Sequence, residues 1–313
     1  MSSPENSAPA LRIPPWLRVK LPSSRDYGNT GALLRDLDLN TVCQSARCPN
    51  KWECFSRSVA TFLVLGRECT RNCAFCNISP GRQLPPDPDE PRRVAEGAAR
   101  LGLKHVVITS VTRDDLPDGG AEHFALCIRL VKGRMPDCTV EVLIPDFQGD
   151  AAALETVLAA RPDVLNHNVE TVPRLYASVR PQANYAQSLD VLRRTAAYKG
   201  EDSRGIPAKS GLMVGLGETD EELRAVIRDL RDAGCTMITV GQYMRPSRLH
   251  PPVQRYMPPE DFDALAEYGR SMGVPKMFCA PLVRSSYHAA ELVGGNKNVD
   301  LIQTADPNSA HAH

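Results

Sequence analysis

The 313-residue sequence has few aromatic side chains, no net charge and no long apolar run. Aromatic residues make up 5% of the chain, and 37 basic side chains balance 37 acidic ones. This balance argues against a strongly basic nucleic-acid-binding surface and against a polybasic membrane anchor. No stretch approaches the roughly 20 consecutive apolar residues that a membrane helix requires. We therefore expect neither a nucleic acid nor a membrane as a partner.

The amino-terminal residues have no apolar signal core and no Arg-rich leader, which predicts a cytoplasmic protein. Its ten cysteines are then expected to be reduced thiols, available as metal ligands or nucleophiles. Six of them fall within 34 residues, between Cys43 and Cys76. The other four stand alone and are expected to be small buried hydrophobic side chains: Cys127, Cys138, Cys235 and Cys279.

Short apolar runs alternate with segments of helical periodicity from residue 61 to about residue 280. The runs predict strands at 61–66, 105–110, 139–144, 163–168, 210–215, 237–242 and 276–280. The periodic segments predict helices at about 91–102, 120–133, 150–160, 184–199, 219–233 and 259–272. This alternation is typical of an α/β fold with a parallel sheet, and it favours a full or partial barrel. The carboxyl ends of the strands then carry the chemistry.

The two ends of the chain lie outside this alternation. Residues 1–40 are rich in proline and serine and predict an ordered arm without a domain of its own. Residues 294–313 predict a polar, frayed tail whose histidines are solvated.

Cys69, Cys73 and Cys76 follow the first predicted strand with spacings of three and two residues. Three thiolates so close together can bind three irons of one 4Fe-4S cluster and leave the fourth iron without a protein ligand. Structural zinc usually takes four ligands from paired Cys-x2-Cys knuckles, and this segment contains one such pair. The spacing therefore favours a cluster with an open iron, with zinc or plain buried thiols as the alternatives.

Cys43, Cys48 and Cys54 form a second triplet upstream, with spacings of four and five residues. Two incomplete triplets indicate two clusters in preference to one six-thiol site. A binuclear zinc module also uses six cysteines, but its short paired spacings and a basic recognition helix are absent from this sequence.

The spacing of the downstream triplet after the first strand resembles the signature of radical S-adenosylmethionine enzymes. Both triplets together, read as TVCQSARCPNKWECFSRSVATFLVLGRECTRNCAFCNI (41–78), resemble the lipoyl synthase family. Further stretches match that family in its order: SVTRDDLPDGGAEHF (110–124), VEVLIPDFQGD (140–150), LNHNVETVPRLYASVRP (165–181), KSGLMVGLGET (209–219), GQYMRPS (241–247) and PLVRSSYHA (281–289). The resemblance covers nearly everything from about residue 12 to residue 290.

The resemblance implies an enzyme that inserts two sulfur atoms, at C6 and C8 of an octanoyl chain linked to a lysine of a lipoyl carrier domain or H protein. It implies two 4Fe-4S clusters, with S-adenosylmethionine as co-substrate. The downstream cluster would generate deoxyadenosyl radicals, and the upstream cluster would donate the sulfur. It further implies an electron donor such as ferredoxin or flavodoxin, and iron–sulfur assembly proteins that rebuild the spent cluster.

The resemblance also implies a fold and its boundaries. The fold is a partial (β/α)6-type TIM barrel with amino- and carboxyl-terminal extensions that cover the open site. We expect the amino-terminal arm and auxiliary-cluster segment at 1–60, the barrel at 61–282, and the carboxyl-terminal extension at 283–313.

The family takes the fourth ligand of the upstream cluster from a serine of the RSSY segment, here 284–287. We carry this role to Ser285, with Ser286 as the second candidate; an arbitrary pair of serines is usually a turn cap, so the assignment depends on the whole motif. The resemblance also implies S-adenosylmethionine contacts from Phe75, Asp118, Gly119, Gly120, Asn168, Glu170 and Gly215. Ordinary turn chemistry or core packing is the alternative for each.

Several alternatives stay open at this point. Arg113, Arg284 and His288 either contact the substrate or form ion pairs, and the sequence does not decide between these roles. Another radical S-adenosylmethionine enzyme with an auxiliary cluster, biotin-synthase-like or methylthiolating, would share the downstream triplet but would not predict the upstream triplet together with RSSY. A zinc-stabilised interaction protein is the alternative that is not an enzyme.

Overall fold

Eight strands form one sheet in chain order, from β1 to β8. The structure is a computed structural model that describes residues 11–18, 25–46, 48, 50–56, 60–200 and 203–286. The strands are β1 Asn40–Thr41, β2 Thr61–Val64, β3 His105–Ser110, β4 Thr139–Leu143, β5 Val164–Asn166, β6 Ala208–Val214, β7 Cys235–Gln242 and β8 Lys276–Cys279. Strands β2 to β8 pair in parallel, and β1 pairs antiparallel with β2. All seven predicted strands are therefore confirmed.

The helices, in chain order, are α1 Arg25–Asp36, α2 Val42–Ser45, α3 Lys51–Ser56, α4 Glu90–Arg100, α5 Ala121–Arg134, α6 Ala151–Ala159, α7 Tyr176–Val179, α8 Tyr185–Ala197, α9 Asp220–Asp232 and α10 Pro259–Ser271. The six predicted helices are confirmed as α4, α5, α6, α8, α9 and α10. Each of these six connects two consecutive parallel strands, which makes six βα units followed by β8. Short 3-10 helices lie at Pro15–Leu17, Phe147–Gly149 and Pro173–Leu175.

Local sequence explains where the crossover helices begin. A capping box begins α9, since the Thr219 side chain accepts from the Glu222 amide and the Glu222 carboxylate accepts from the Thr219 amide. The side chains of Asp150 and Asn184 each accept from one amide in the first turn of α6 and α8. These caps fix the helix starts at the carboxyl side of the sheet, where the connections leave the strands.

The sheet is an open barrel. Within the described ranges, β8 pairs with β7 alone and β1 with β2 alone, so the two edges of the sheet do not join. This arrangement confirms the partial (β/α)6-type barrel. It leaves a lateral opening between the edge strands β8 and β1, beside the residues of the carboxyl-terminal segment that the structure describes.

Five elements described before residue 60 were not predicted: the 3-10 helix Pro15–Leu17, α1, β1, α2 and α3. Helix α1 packs through Leu34, which is 1% exposed, and Leu39 beyond it is 6% exposed. Both belong to the same core as Phe62 of β2. The ordered arm expected over residues 1–40 is thus partly a helix that covers the open edge of the sheet.

The barrel interior contains a buried ion pair among strands that read as apolar runs. Lys209 Nζ lies 2.8 Å from Glu141 Oε1, and both side chains are fully buried. His105 Nε2 lies 3.6 Å from the other oxygen of Glu141. Lys209 and Glu141 therefore link β6 to β4, and removal of either partner would leave a costly uncompensated charge in this interior.

Across the ranges that the structure describes, no helix has the length and apolarity to cross a membrane.

Candidate functional site

The loop of residues 69–81, hereafter the cluster loop, leaves the carboxyl end of β2 and closes on itself. The Cys69 amide donates to the Ser79 carbonyl at 3.0 Å, and the Gly81 amide donates to the Cys69 carbonyl at 3.3 Å. Inside this loop, Cys69, Cys73 and Cys76 are all half-buried. Their sulfurs are close enough to interact electrostatically with one another. The structure therefore brings the predicted downstream triplet together at the expected end of the barrel.

Backbone amides point at the sulfur atoms of this triplet. The amides of Arg71 and Thr112 lie 3.4 and 3.3 Å from Cys69 Sγ, and the Ile78 amide lies 3.4 Å from Cys76 Sγ. Such donors stabilise thiolate ligands and tune iron–sulfur clusters. The loop thus offers both the soft donor atoms and the outer hydrogen bonds that a cluster requires.

Among the described residues, no group of three His, Cys, Asp or Glu side chains converges on the position of a single metal ion. In a cubane cluster each cysteine binds a different iron, so its ligands do not need to meet at one point.

The thiols of Cys43, Cys73 and Cys76 are protonated at neutral pH in the cluster-free chain. Burial raises the pKa of Cys76 to about 12 and that of Cys43 to about 11, and it also raises the pKa of Cys73. Since iron binds the thiolate, cluster assembly in either triplet must release protons.

Arg71 clamps the cluster loop to the ends of the next two strands. Its guanidinium is 6% exposed and forms two ion pairs, at 2.7 Å with Asp114 after β3 and at 2.6 Å with Asp146 after β4. Each carboxylate accepts from two of its N–H groups. Burial alone would raise the pKa of Asp146, but the hydrogen bonds and charge of Arg71 lower it to about 2. Paired forks of this kind fix both position and angle.

The predicted pair Asn168 and Glu170 lies beside this triplet. Asn168 Nδ2 donates to Glu170 Oε1 at 3.0 Å, while Asn168 Oδ1 is buried without a partner in the described part of the chain. Burial raises the pKa of Glu170, whose carboxyl group also interacts with Arg180, Arg284 and the cysteines. The orphaned amide oxygen is free to accept a hydrogen bond from a ligand.

Phe75 and Gly215 also lie on this side of the barrel. Phe75 packs against Val179, Leu216 and Tyr243. Gly215 has φ +99°, and a Cβ atom there would lie 2.6 Å from the Arg255 carbonyl oxygen, so only glycine fits. The amides of Gly215 and Leu216 donate to Glu218, which is the ordinary turn chemistry weighed for this motif.

The Asp118–Gly119–Gly120 turn begins α5. The Asp118 carboxylate accepts from the amides of Gly120 and Glu122, both at 2.9 Å, and is therefore engaged as a helix cap. Gly120 has φ +90°, and a Cβ atom there would lie 2.3 Å from Leu65 Cδ1. Contact of this turn with S-adenosylmethionine stays a prediction, because the geometry also satisfies the structural alternative.

The upstream triplet lies at the other end of β2. Cys43 on α2 is 6% exposed and interacts with Cys48, and hydrogen bonds link it to Thr61 at the start of β2. Cys54 lies half-buried on α3. These contacts join Cys43 and Cys48; membership of Cys54 in the same ligand set stays a prediction.

The RSSY segment reaches the upstream triplet. Thr61 Oγ1 donates to Ser286 Oγ at 2.9 Å, and Asn50 Nδ2 donates to the Leu282 carbonyl at 2.7 Å. The segment is thus close to Cys43, as its proposed ligand role requires. The observed contact involves Ser286, and Ser285 as the fourth ligand stays a prediction.

The sequence left open whether Arg113, Arg284 and His288 contact the substrate or form ion pairs, and the structure treats each of them differently. Arg113 forms an ion pair at 2.8 Å with Asp115 and donates to the Leu65 carbonyl, which gives it a structural role. Arg284 lies between Glu170 and Cys48, with which it interacts electrostatically. His288, Tyr287 and the polar tail lie outside the described residues.

Sequence reasoning missed three residues that shape this site. Arg71 lies inside the downstream triplet, Arg180 interacts electrostatically with Cys73, and the His250 ring nitrogen lies 3.0 Å from the Cys76 carbonyl oxygen. A basic residue inside a cysteine triplet was a usable signal for Arg71. The contacts of Arg180 and His250 join distant segments and have no local signature. The isolated cysteines Cys127, Cys138, Cys235 and Cys279 are buried as predicted.

An open βα barrel with a half-buried cysteine triplet after its first parallel strand defines the radical S-adenosylmethionine class. A family model for the radical SAM superfamily matches residues 63–230. Two crystal structures share the fold at low identity. SuiB of Streptococcus suis bound to S-adenosylmethionine has a TM-score of 0.52, 12% identity, and covers 80% of this chain and 59% of its own. HydG, a hydrogenase maturase, has a TM-score of 0.52, 17% identity, and covers 69% and 51%.

Sequences more similar to this chain identify its family within the radical S-adenosylmethionine class. A second family model, the N-terminal domain of lipoyl synthase, matches residues 2–48. A lipoyl synthase of Oleidesulfovibrio alaskensis is 67% identical over 94% of this chain and 99% of its own length. Those of Nitratidesulfovibrio vulgaris (strain DP4) and Caldanaerobacter subterraneus subsp. tengcongensis are 65% and 55% identical, over 92% and 89% of this chain and 95% and 96% of their own lengths. The chain belongs to the lipoyl synthase family.

Family membership confirms several expectations. The protein is a radical S-adenosylmethionine sulfurtransferase of lipoate biosynthesis, with S-adenosylmethionine and two 4Fe-4S clusters as its cofactors. The biotin-synthase-like and zinc-stabilised alternatives are set aside by these matches.

Proposed function

We propose that the two triplets divide the work of this lipoyl synthase. Cys69, Cys73 and Cys76 would hold the cluster that supplies reductive cleavage of S-adenosylmethionine. Cys43, Cys48 and Cys54, with Ser285 as fourth ligand, would hold the cluster that supplies the sulfur. The observation that supports this division is the placement of the two triplets at opposite ends of the short strand β2. The downstream triplet follows its carboxyl end, and Cys43 contacts its first residue, Thr61. A four-residue strand separates its ends by roughly 10 Å, which leaves room for a thin chain between the sites.

The substrate chemistry explains why protein side chains are not asked to abstract hydrogen. Acid–base groups do not remove hydrogen from unactivated methylenes, so the chain needs to position the radical source and to exclude water. His167, at the end of β5, illustrates this. Its two ring nitrogens lie 2.9 Å from the Ile144 carbonyl and 3.0 Å from Ser188 Oγ, and burial lowers its pKa to about 4. It is a neutral structural histidine at physiological pH.

For S-adenosylmethionine we propose contacts from residues that follow four strands, β2, β3, β5 and β6. Asn168 and Glu170 would hold polar groups of the nucleoside, because Asn168 Oδ1 is buried and unsatisfied among the described residues. Phe75 would pack on the base from its apolar cluster. The backbone at Gly119, Gly120 and Gly215 would approach the ligand closely, and Asp118 would shape the turn that presents it.

The partners follow from the reaction. We propose an octanoylated lipoyl domain or H protein as substrate, an electron donor such as ferredoxin or flavodoxin, and iron–sulfur assembly proteins that restore the upstream cluster. We further propose the division into 1–60, 61–282 and 283–313, with the lateral opening as the substrate entrance. A cytoplasmic location stays a prediction of the sequence.

Mass measurement of an acceptor peptide tests this function. Anaerobically reconstituted protein is incubated with S-adenosylmethionine, a reductant and an octanoyl-lysyl peptide. We expect the peptide to gain two sulfur atoms, from protein that contains about eight irons for two 4Fe-4S clusters. Prior labelling of the upstream cluster with heavy sulfide should place the label in the product. Two verified clusters without sulfur gain would reject the activity, and unlabelled product would reject the proposed sulfur source.

A further inference from the structure

Arg180 is a half-buried cation beside the downstream triplet, and the proposed function assigns it no role. It follows α7, in a segment attached to the cluster loop by a 2.9 Å hydrogen bond from the Ala74 amide to the Val179 carbonyl. The Arg180 side chain interacts electrostatically with Cys73 and with Glu170. Its charge therefore acts on one proposed cysteine ligand and on the proposed S-adenosylmethionine site.

Hydrogen bonds and an aromatic ring hold the Arg180 guanidinium in one position. Its Nη1 donates to the carbonyls of Asn168 and Val169 at 3.0 and 3.2 Å, and to the Tyr176 hydroxyl at 3.3 Å. The Tyr176 ring packs against it, with 5.5 Å between the guanidinium carbon and the ring centroid. These contacts are with backbone and with a neutral phenol, so they do not cancel the charge.

One donor of this side chain remains unused. Arg180 Nε is buried and finds no hydrogen-bond acceptor among the described residues. A buried N–H without an acceptor is costly, and such a group usually marks a partner that completes it. Cysteinyl sulfur and inorganic sulfide are acceptors, and Cys73 is already in reach of this side chain.

We propose that Arg180 raises the reduction potential of the downstream cluster. Reduction adds one negative charge, and a fixed cation in a low-dielectric site stabilises the reduced form more than the oxidised form. Hydrogen bonds to cluster sulfurs act in the same direction. Arg180 is thus a positioning and tuning residue, acting through Cys73. The inference rests on the proposed assignment of Cys73 as a cluster ligand.

A redox titration followed by electron paramagnetic resonance tests the inference. The full-length protein is reconstituted, its iron and sulfide are counted, and the midpoint potential of the downstream cluster is measured without S-adenosylmethionine. For Arg180→Gln we expect the equilibrium constant for reduction to fall about tenfold, which is about 59 mV for one electron. Arg180→Lys keeps the charge and should restore most of the loss. Arg194→Gln, which removes an exposed arginine paired with Asp190 on α8, is the matched control and should leave the potential unchanged.

The outcomes separate this inference from the function on which it rests. If Arg180→Gln has the same midpoint potential as the unmodified protein, the inference is overturned. A rise in the KM for S-adenosylmethionine in that variant would then mean that Arg180 serves the co-substrate alone. Absence of the downstream cluster from the unmodified protein would instead reject the assignment of Cys73. If the glutamine variant does not retain a cluster, Arg180→Met, which keeps an apolar stem against Tyr176, provides the same measurement.

Discussion

The cluster loop is fixed by its neighbours on the sheet, whereas the upstream triplet depends on contacts from the far end of the chain. Cys69 receives hydrogen bonds from two backbone amides, and Arg71 anchors the loop through the half-buried Asp114 and the buried Asp146. Two members of the upstream triplet lie on short helices, Cys43 on the four-residue α2 and Cys54 on the six-residue α3, and Cys48 lies between these helices. Asn50 between these helices bonds to Leu282, 232 residues away.

The difference suits the proposed division of labour. A cluster that survives each turnover benefits from a preorganised loop, because every displaced ligand would have to be restored. A cluster that is dismantled benefits from a site whose ligands come from separate segments, since one segment can withdraw while the others remain. If the RSSY segment withdraws from the upstream triplet, the hydrogen bond between Thr61 of β2 and Ser286 of that segment has to break.

The largest effect should come from matched cysteine variants of the two regions. We expect Cys76→Ala to abolish reductive cleavage of S-adenosylmethionine and sulfur insertion together. Cys54→Ala should keep cleavage and abolish insertion. Quantification of 5'-deoxyadenosine and of the sulfur-containing peptide in one reaction measures both.

Cys127→Ala is the control, because Cys127 is fully buried away from both triplets and should keep both products. Loss of 5'-deoxyadenosine in Cys54→Ala, with the downstream cluster present, would contradict the division between the two regions.

A smaller effect should distinguish the two regions by acid stability. Asp146 has a pKa of about 2 in the folded protein and about 3.9 when unfolded. A lowered folded pKa contributes stability that is complete above the unfolded value and disappears as the pH falls through about 2. At pH 6, Asp146→Asn should therefore lower the free energy of unfolding by about 2 kcal/mol. At pH 2.5 the gap should shrink below about 1 kcal/mol.

Urea unfolding of the cluster-free chain at the two pH values measures this gap. Asp36→Asn, on the exposed side of α1 in the amino-terminal region, is the control and should change stability by less than about 0.5 kcal/mol at either pH. A gap for Asp146→Asn that is independent of pH would show that Arg71 is not the source of the stabilisation.

The same contrast between local and distant contacts decides what the sequence could predict of the fold. The barrel helices and strands carry clear periodicity, and α9 also carries its own capping box. Helix α1 has two glycines, an asparagine and two aspartates among its twelve residues, so its propensity is low and the packing of Leu34 decides its conformation. Strand β1 has two residues, which is too short for any period.

The site shows the same limit. The cysteine spacing predicted which thiols gather in the cluster loop, because three ligands within eight residues need only one turn of chain. It did not predict Arg180 or His250, which reach that loop from segments after β5 and β7. Their sequence neighbours indicate turns, and only the closure of the barrel brings them to the cysteines.

The smallest effect should come from the hydroxyl that joins the two regions. Thr61→Val keeps the shape of the side chain but removes the bond to Ser286, which is worth about 1 kcal/mol. We expect the upstream cluster to lose iron about fivefold faster to an anaerobic chelator, since 1 kcal/mol corresponds to about that factor. The downstream cluster should lose iron at the unmodified rate. Thr109→Val removes a comparable buried bond, to the Leu143 carbonyl inside the barrel, and should leave both rates unchanged. Equal acceleration at both clusters would mean that Thr61 stabilises the barrel as a whole, and the upstream site would then be no more separable than the cluster loop.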